Sequence, residues 1–254
     1  MKTHLKILLT LIVALFAASA CIPRLVPRET PEPDADSSVP DTPVTEEQDL
    51  QAFTEIVFEG AGVIHLVQDV DHSIVIDGSQ SVVNRISYEV RNNVLFVEYE
   101  SRFLDWITVH EYPTITITFE ELDRFKFQGC GEISADGIDS DSLVIDIQGG
   151  IKFDLTDLSA ATFDLNAEGG AAIAVGGRAQ TQKVSLAGGS SYDAEDLQSN
   201  NVTIKADGGI SIVVWATETL DLNLSGAYNV QYYGNPLVTL NVQGIGNIED
   251  LGEK

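Results

Sequence analysis

Basic residues are scarce in this chain. Its 254 residues include 14 lysines and arginines against 39 aspartates and glutamates, a formal charge of −25. A surface without a basic stripe has nothing to neutralise phosphates, which excludes nucleic acid as a partner. Cysteine is almost missing as well, with only Cys21 and Cys130, so no disulfide framework holds the fold. The four histidines form no H-x-x-x-H or Cys/His spacing suited to zinc. Neither a G-x-S-x-G elbow nor a phosphate-cradling glycine loop is present. Long amphipathic helices are lacking too, although "EELDRF" (residues 120–125) has room for one helical turn.

Long apolar runs are confined to the start. Lys2, His4 and Lys6 precede "ILLTLIVALFAA" (Ile7 to Ala18), and small residues follow up to Cys21. A basic region, a short apolar run and a small-residue cleavage site read as an export signal over residues 1–20. The run is short of the roughly 20 residues that a bilayer span takes. "ASAC" at residues 18–21 resembles a bacterial lipobox, with Ala18 where leucine is commonest. The expectation is a lipid on Cys21, the alternative ordinary cleavage after Ala20. Six of the eight prolines lie within residues 22–52, among acidic and hydroxyl side chains. That composition buries too little apolar surface to offset ordering, so residues 21–52 are expected to be a disordered stalk. Removal of Lys2 and Lys6 with the signal leaves 12 basic residues against 39 acidic, a net charge of −27.

What fills the remaining domain, residues 53–254, is a repeat. Gly129, Gly149, Gly169, Gly188, Gly208, Gly226 and Gly244 are spaced by 20, 20, 19, 20, 18 and 18 residues. Four residues before each stands an apolar residue (Phe125, Ile145, Leu165, Val184, Ile204, Leu222, Leu240), and four after stands another. The intervening positions are polar, as in Lys126, Asp146, Asn166, Ser185, Lys205, Asn223 and Asn241. Period-two alternation with a constant repeat predicts strands that bury one face. "IVFEGAGVIHL" carries an earlier copy around Gly60, while the array itself spans residues 125–254. Between them, "ISYEVRNNVLFVEYE" predicts a hairpin turning at Asn92-Asn93, and "TITITF" (114–119) a further strand.

The fold expected is all-β: a right-handed parallel β-helix, or solenoid, with a less regular antiparallel region near its N-terminal end. An antiparallel β-sandwich is the alternative. The last copy breaks at Asp250 and runs into Glu253, a polar end suited to an edge that does not recruit another chain.

"LSGAYNVQYYGNPLVTLNVQGIGNIEDLG" resembles the C-terminal part of the putative auto-transporter adhesin head GIN domain family, through the step Tyr232-Tyr233-Gly234-Asn235-Pro236 and the turn Gly244-Ile245-Gly246. The early Gly60-x-Gly62 turn and the Asn92-Asn93 hairpin extend the likeness over residues 53–252. Most turns here read Gly-Gly where the family favours Ser-Gly-x-Gly. The resemblance implies a β-helical, exported, often lipidated envelope protein, and it carries no functional residues over.

The residues with chemical potential are dispersed. His65 falls on the outward parity of its strand, His72 in a turn, and His110 among neither metal nor catalytic partners. Glu132, Asp146, Asp154, Asp193 and Asp207 stand at different repeat offsets, which reads as a solvated acidic face rather than a carboxylate pair or calcium site. Trp215 is expected in a loop, Tyr232 in the core, and Trp215, Tyr228, Tyr232 and Tyr233 are candidates for an aromatic binding patch. Cys130 occupies the slot after its repeat glycine, where other copies carry Gly150, Gly170, Gly189, Gly209, Ala227 and Ile245. Alternation points that slot outward, though the turn has room to rotate it inward. With no histidine nearby to activate it, Cys130 reads as a small residue at a bend. No enzyme, cofactor or metal is expected. The expectation is a surface module for an unidentified glycan or protein, at the cell envelope or surface and held to the membrane through Cys21. A carbohydrate-active enzyme and a purely structural envelope protein are the alternatives.

Overall fold

The computed structural model describes residues 42–100 and 112–254. The leader, Cys21 and His110 lie outside that range. The described chain is all-β, built on a mixed sheet with strands in the order β1-β3-β6-β2-β7-β8-β9. These are β1 (Pro43–Asp49), β2 (Glu55–Gln68), β3 (Ser73–Ser79), β6 (Thr114–Phe119), β7 (Arg124–Ala135), β8 (Ile138–Tyr233) and β9 (Leu237–Asp250). Off that path, β4 (Ile86–Arg91) pairs with β5 (Val94–Tyr99), which pairs with β2.

The predicted hairpin and the 114–119 strand form where the pattern placed them. Asn92 and Asn93 both adopt positive φ, 53° and 64°, as a tight two-residue turn demands. Two local expectations fail. The one helical turn among the described residues, α1 (Gln80–Val83), forms well upstream of "EELDRF", whose residues continue from β6 into β7 without a helix. Val82 and Val83 anchor α1 by burying their side chains. Part of the expected stalk is also folded. Pro43–Asp49 pairs antiparallel with Ser73–Ser79 despite its acidic, proline-bearing composition. Backbone pairing explains this, because an edge strand leaves its charged side chains in water while its main chain satisfies β3. Tyr88 adds a tie from β4 by donating to Glu46 Oε1 at 2.6 Å. Burial, and then this carboxylate partner, push the Tyr88 phenol up to about 12.

The repeat copies pair in parallel and in glycine register. Ile56, Phe58, Gly60 and Ile64 of β2 stand beside Phe125, Phe127, Gly129 and Ile133 of β7. Those in turn stand beside Ile145, Ile147, Gly149 and Phe153 of β8, and the last copy of β8 pairs with β9 as Gly226↔Gly244. An antiparallel sandwich does not describe this array. Up to the last copy the apolar positions are buried almost completely, and Phe58 stacks flat on Phe127 with ring centroids 5.3 Å apart.

At the repeat glycines the backbones approach too closely for any side chain. Gly129 and Gly149 have φ of +147° and +129°, and a Cβ on either would drive into the carbonyl oxygen of the glycine in the preceding copy. The second glycine of each pair differs. Gly150, Gly189 and Gly209 have ordinary φ, and a Cβ there meets nothing within 4 Å.

A buried polar cluster interrupts the apolar interior. Gln182 donates from Nε2 to the Tyr192 hydroxyl and accepts from Ser199 Oγ at 3.0 Å, and all three residues are buried. Burial pushes the Tyr192 phenol far above its ordinary range, so it stays neutral.

Two stability measurements follow from this packing. Gly149→Ala is expected to cost at least about 2 kcal/mol in urea unfolding, through strain and backbone collision. Its neighbour substitution Gly150→Ala is expected to stay within about 1 kcal/mol of the native chain. Gln182→Leu strands two buried hydroxyls and is expected to cost about 1–3 kcal/mol in the same assay.

Candidate functional surface

The glycine bends leave an open trough on the outer side of the array. It is shallow and wide open, with a volume of about 740 Å³, and its lining includes Gly170, Ala171, Gly189, Ser190, Gly209 and Ile210. The trough exists because the residues after each bend are small. A side chain at Gly189 or Gly209 would have room to stand, and would fill it. Tyr228 and Ile245 line its far end, adding an aromatic ring and an exposed aliphatic group. The trough carries no charged side chain among its lining residues.

Before the bends, at the position three residues ahead of the glycine, some polar side chains bond to those of neighbouring copies. Asn166 Nδ2 donates to Asp146 Oδ1 at 2.9 Å, Asn241 Nδ2 donates to Asn223 Oδ1 at 3.4 Å, and Arg124 lies 3.8 Å from Asp146. Neighbouring copies stand apart by the spacing of parallel strands, about 4.8 Å. A second row bonds in the same way, with Ser225 donating to Asp207 Oδ1 at 2.7 Å.

The singled-out residues do not converge. His65 is exposed, as its parity predicted, and its Nδ1 lies 2.7 Å from Ser134 Oγ. His72 is half-buried with its ring edge-on to Phe53 at 5.0 Å. Glu132 pairs with Lys152 at 3.0 Å, Asp146 accepts from Asn166, and Asp154 and Asp193 line a small cleft with Glu195 and Asp196. Among the described residues no group of three His, Cys, Asp or Glu side chains is placed to hold a metal ion. Cys130 is exposed and free, in register with Ala61 and Gly150, which settles its direction as outward.

The aromatic expectation needs correction. Trp215 lies within the continuous strand β8, half-buried, not in a loop. The alternation carries through it because the chain keeps pairing between bends. Its face is occupied by Lys254, whose Nζ stands 5.5 Å from the Trp215 ring and 5.2 Å from that of Tyr233. The same ammonium donates to Glu195 O at 2.7 Å and Asp196 Oδ1 at 2.6 Å. That hydrogen bond holds the Lys254 ammonium above its ordinary range. Tyr232 packs partly buried against the core, and only Tyr228 reaches the trough. The trough itself went unread in the sequence. Its signal is the doubled glycine, since the bend requires only the first of each pair.

No curated protein matches the chain. Among solved structures, a putative adhesin from Bacteroides fragilis is similar with TM-score 0.76 and 25% identity, over 83% of this chain and 97% of that one. A putative adhesin from Parabacteroides distasonis is similar with TM-score 0.61 and 18% identity, over 84% and 98%. A third structure, described as a putative lipid binding protein from Parabacteroides distasonis, has TM-score 0.58 and 19% identity, over 82% and 96%. Residues 52–236 match the family described as "Putative auto-transporter adhesin, head GIN domain", and the chain belongs to that family.

Proposed function

We propose that this protein is a non-enzymatic binding module of the bacterial surface, held at the envelope by a lipid on Cys21. The observation that carries this reading is the uncharged trough, lined by small and polar residues of successive copies. Such a surface suits an extended ligand, a glycan chain or a protein segment, whose repeating groups meet repeating contacts. Individual contacts of this kind are weak, and affinity accumulates along the row. Against the carbohydrate-active alternative, Glu132 pairs with Lys152 and Asp146 with Asn166, while the cleft lined by Asp154, Asp193, Glu195 and Asp196 is small and its Asp196 is held by Lys254.

The architecture that suits this function is the right-handed parallel β-helix expected from the repeat. Parallel glycine register between successive copies supports it, and so does the collision that a Cβ would make at each bend. The family description favours adhesion, and a similar structure described as a putative lipid binding protein favours an apolar ligand in the trough instead.

Gly189→Trp separates fold from binding. The substituted side chain enters open space, so circular dichroism is expected to be unchanged. Ligand capture on a glycan array and in whole-cell pull-down is expected to fall at least about tenfold, a loss of about 1.4 kcal/mol. Reproducible absence of any captured ligand with the native chain would sink the adhesin reading. Anchoring is tested on its own: Cys21→Ala is expected to move the protein from the membrane fraction to the soluble fraction, with loss of fatty-acid labelling.

A further inference from the structure

The C-terminal edge of the sheet is unlike its other edges. β9 pairs only with β8 among the described residues, so one side of its backbone and one layer of its side chains are uncovered. Leu222 and Leu224 of the preceding copy are 2% and 1% exposed, whereas their register partners Leu240 and Val242 are 51% and 41% exposed. Leu237 and Ile245, on the same strand, are 74% and 85% exposed. Four of the seven exposed large hydrophobic residues described therefore lie on this one strand. No charged residue occurs from Leu237 to Ile248. The other unpaired edges are guarded: β1 carries Pro43, Glu46, Glu47 and Asp49, and β4 carries Glu89 and Arg91.

We propose that β9 is a docking edge for a second copy of this chain, paired antiparallel about a twofold axis at Asn241. The occupant follows from the strand's own order of residues. With Asn241 opposite its counterpart, Leu240 faces Val242 of the other copy, so the two uncovered core residues that precede the bend gain apolar partners. Leu240 and Val242 share one face, so both copies turn their uncovered core residues to the same side. Val238 falls opposite Gly244, whose bend limits pairing to roughly this central stretch. Along the strand the first acidic residue past the axis is Glu249, eight residues on, while Asp221 stands one strand back in register with Thr239. Two copies of a strongly acidic protein thus approach along the edge that carries no charge. Pairing β9 against β1 instead would seat the apolar edge on acids and generate open chains. The twofold arrangement closes after one contact and presents two troughs per assembly, which raises avidity for an extended ligand.

The test uses the full-length chain with Cys21→Ala and Cys130→Ala, leaving no native thiol. Asn241→Cys in that background is expected to form an interchain disulfide under mild oxidation and run at doubled mass, since directly opposed strand residues lie within disulfide reach. Asn247→Cys, far from the axis, is expected to stay at single mass. Adding Leu240→Lys to Asn241→Cys is expected to reduce cross-linking at least about tenfold by placing an ammonium among apolar partners. Circular dichroism checks that each variant remains folded, and Val242→Lys replaces Leu240→Lys if that variant does not. Single mass for Asn241→Cys, equal cross-linking at Asn247→Cys, or a ladder of higher masses would each overturn the twofold edge.

Discussion

Everything in this domain depends on how closely two polypeptide backbones can approach at the repeat bend. The carbonyl oxygen of each bend glycine sits where the next copy's Cβ would have to be, so the column Gly60, Gly129, Gly149, Gly169, Gly188, Gly208, Gly226 and Gly244 has no substitute residue. Because those backbones meet, the apolar residues four before and four after each glycine come into register from copy to copy. Phe58 lies flat on Phe127, and Ile145, Leu165 and Ile204 are each fully buried. The hydrophobic contribution to stability comes from these rows, but the glycines set the phase in which the rows meet.

The same constraint shapes the surface. A chain that bends at every glycine carries its next residues outward, and where those are also small a trough opens. Some side chains at the polar offsets bond from copy to copy rather than standing as scattered hydrophilic groups, since parallel pairing repeats each position at the strand spacing. Charge is handled by position. Lys152 answers Glu132, Lys254 answers Asp196, Arg124 answers Asp146 and Arg91 answers Glu89. An extended, repeating surface of this kind is consistent with membership of a family described by adhesion, and the end strand adds a possibility of pairing that the side strands, charged as they are, exclude.

The sequence alone determined the all-β class, the period, the bend glycines, the inward residues, the Asn92-Asn93 turn and the family, because those are local or periodic constraints. A strand's parity and a turn's positive φ are written in adjacent residues. It also fixed that His65 points outward. Tertiary structure decided what depends on neighbours distant in sequence. Pro43–Asp49 reads as stalk and becomes a strand, because β3 offers it main-chain partners. Trp215 reads as loop and is strand, its ring met by an ammonium 39 residues away in Lys254. Gly149 and Gly150 are indistinguishable as letters, yet one meets a carbonyl and the other meets open space. Leu240 repeats the pattern of Leu222 faithfully and is half-exposed all the same, since burial belongs to the residue that lies above it and the described chain supplies none.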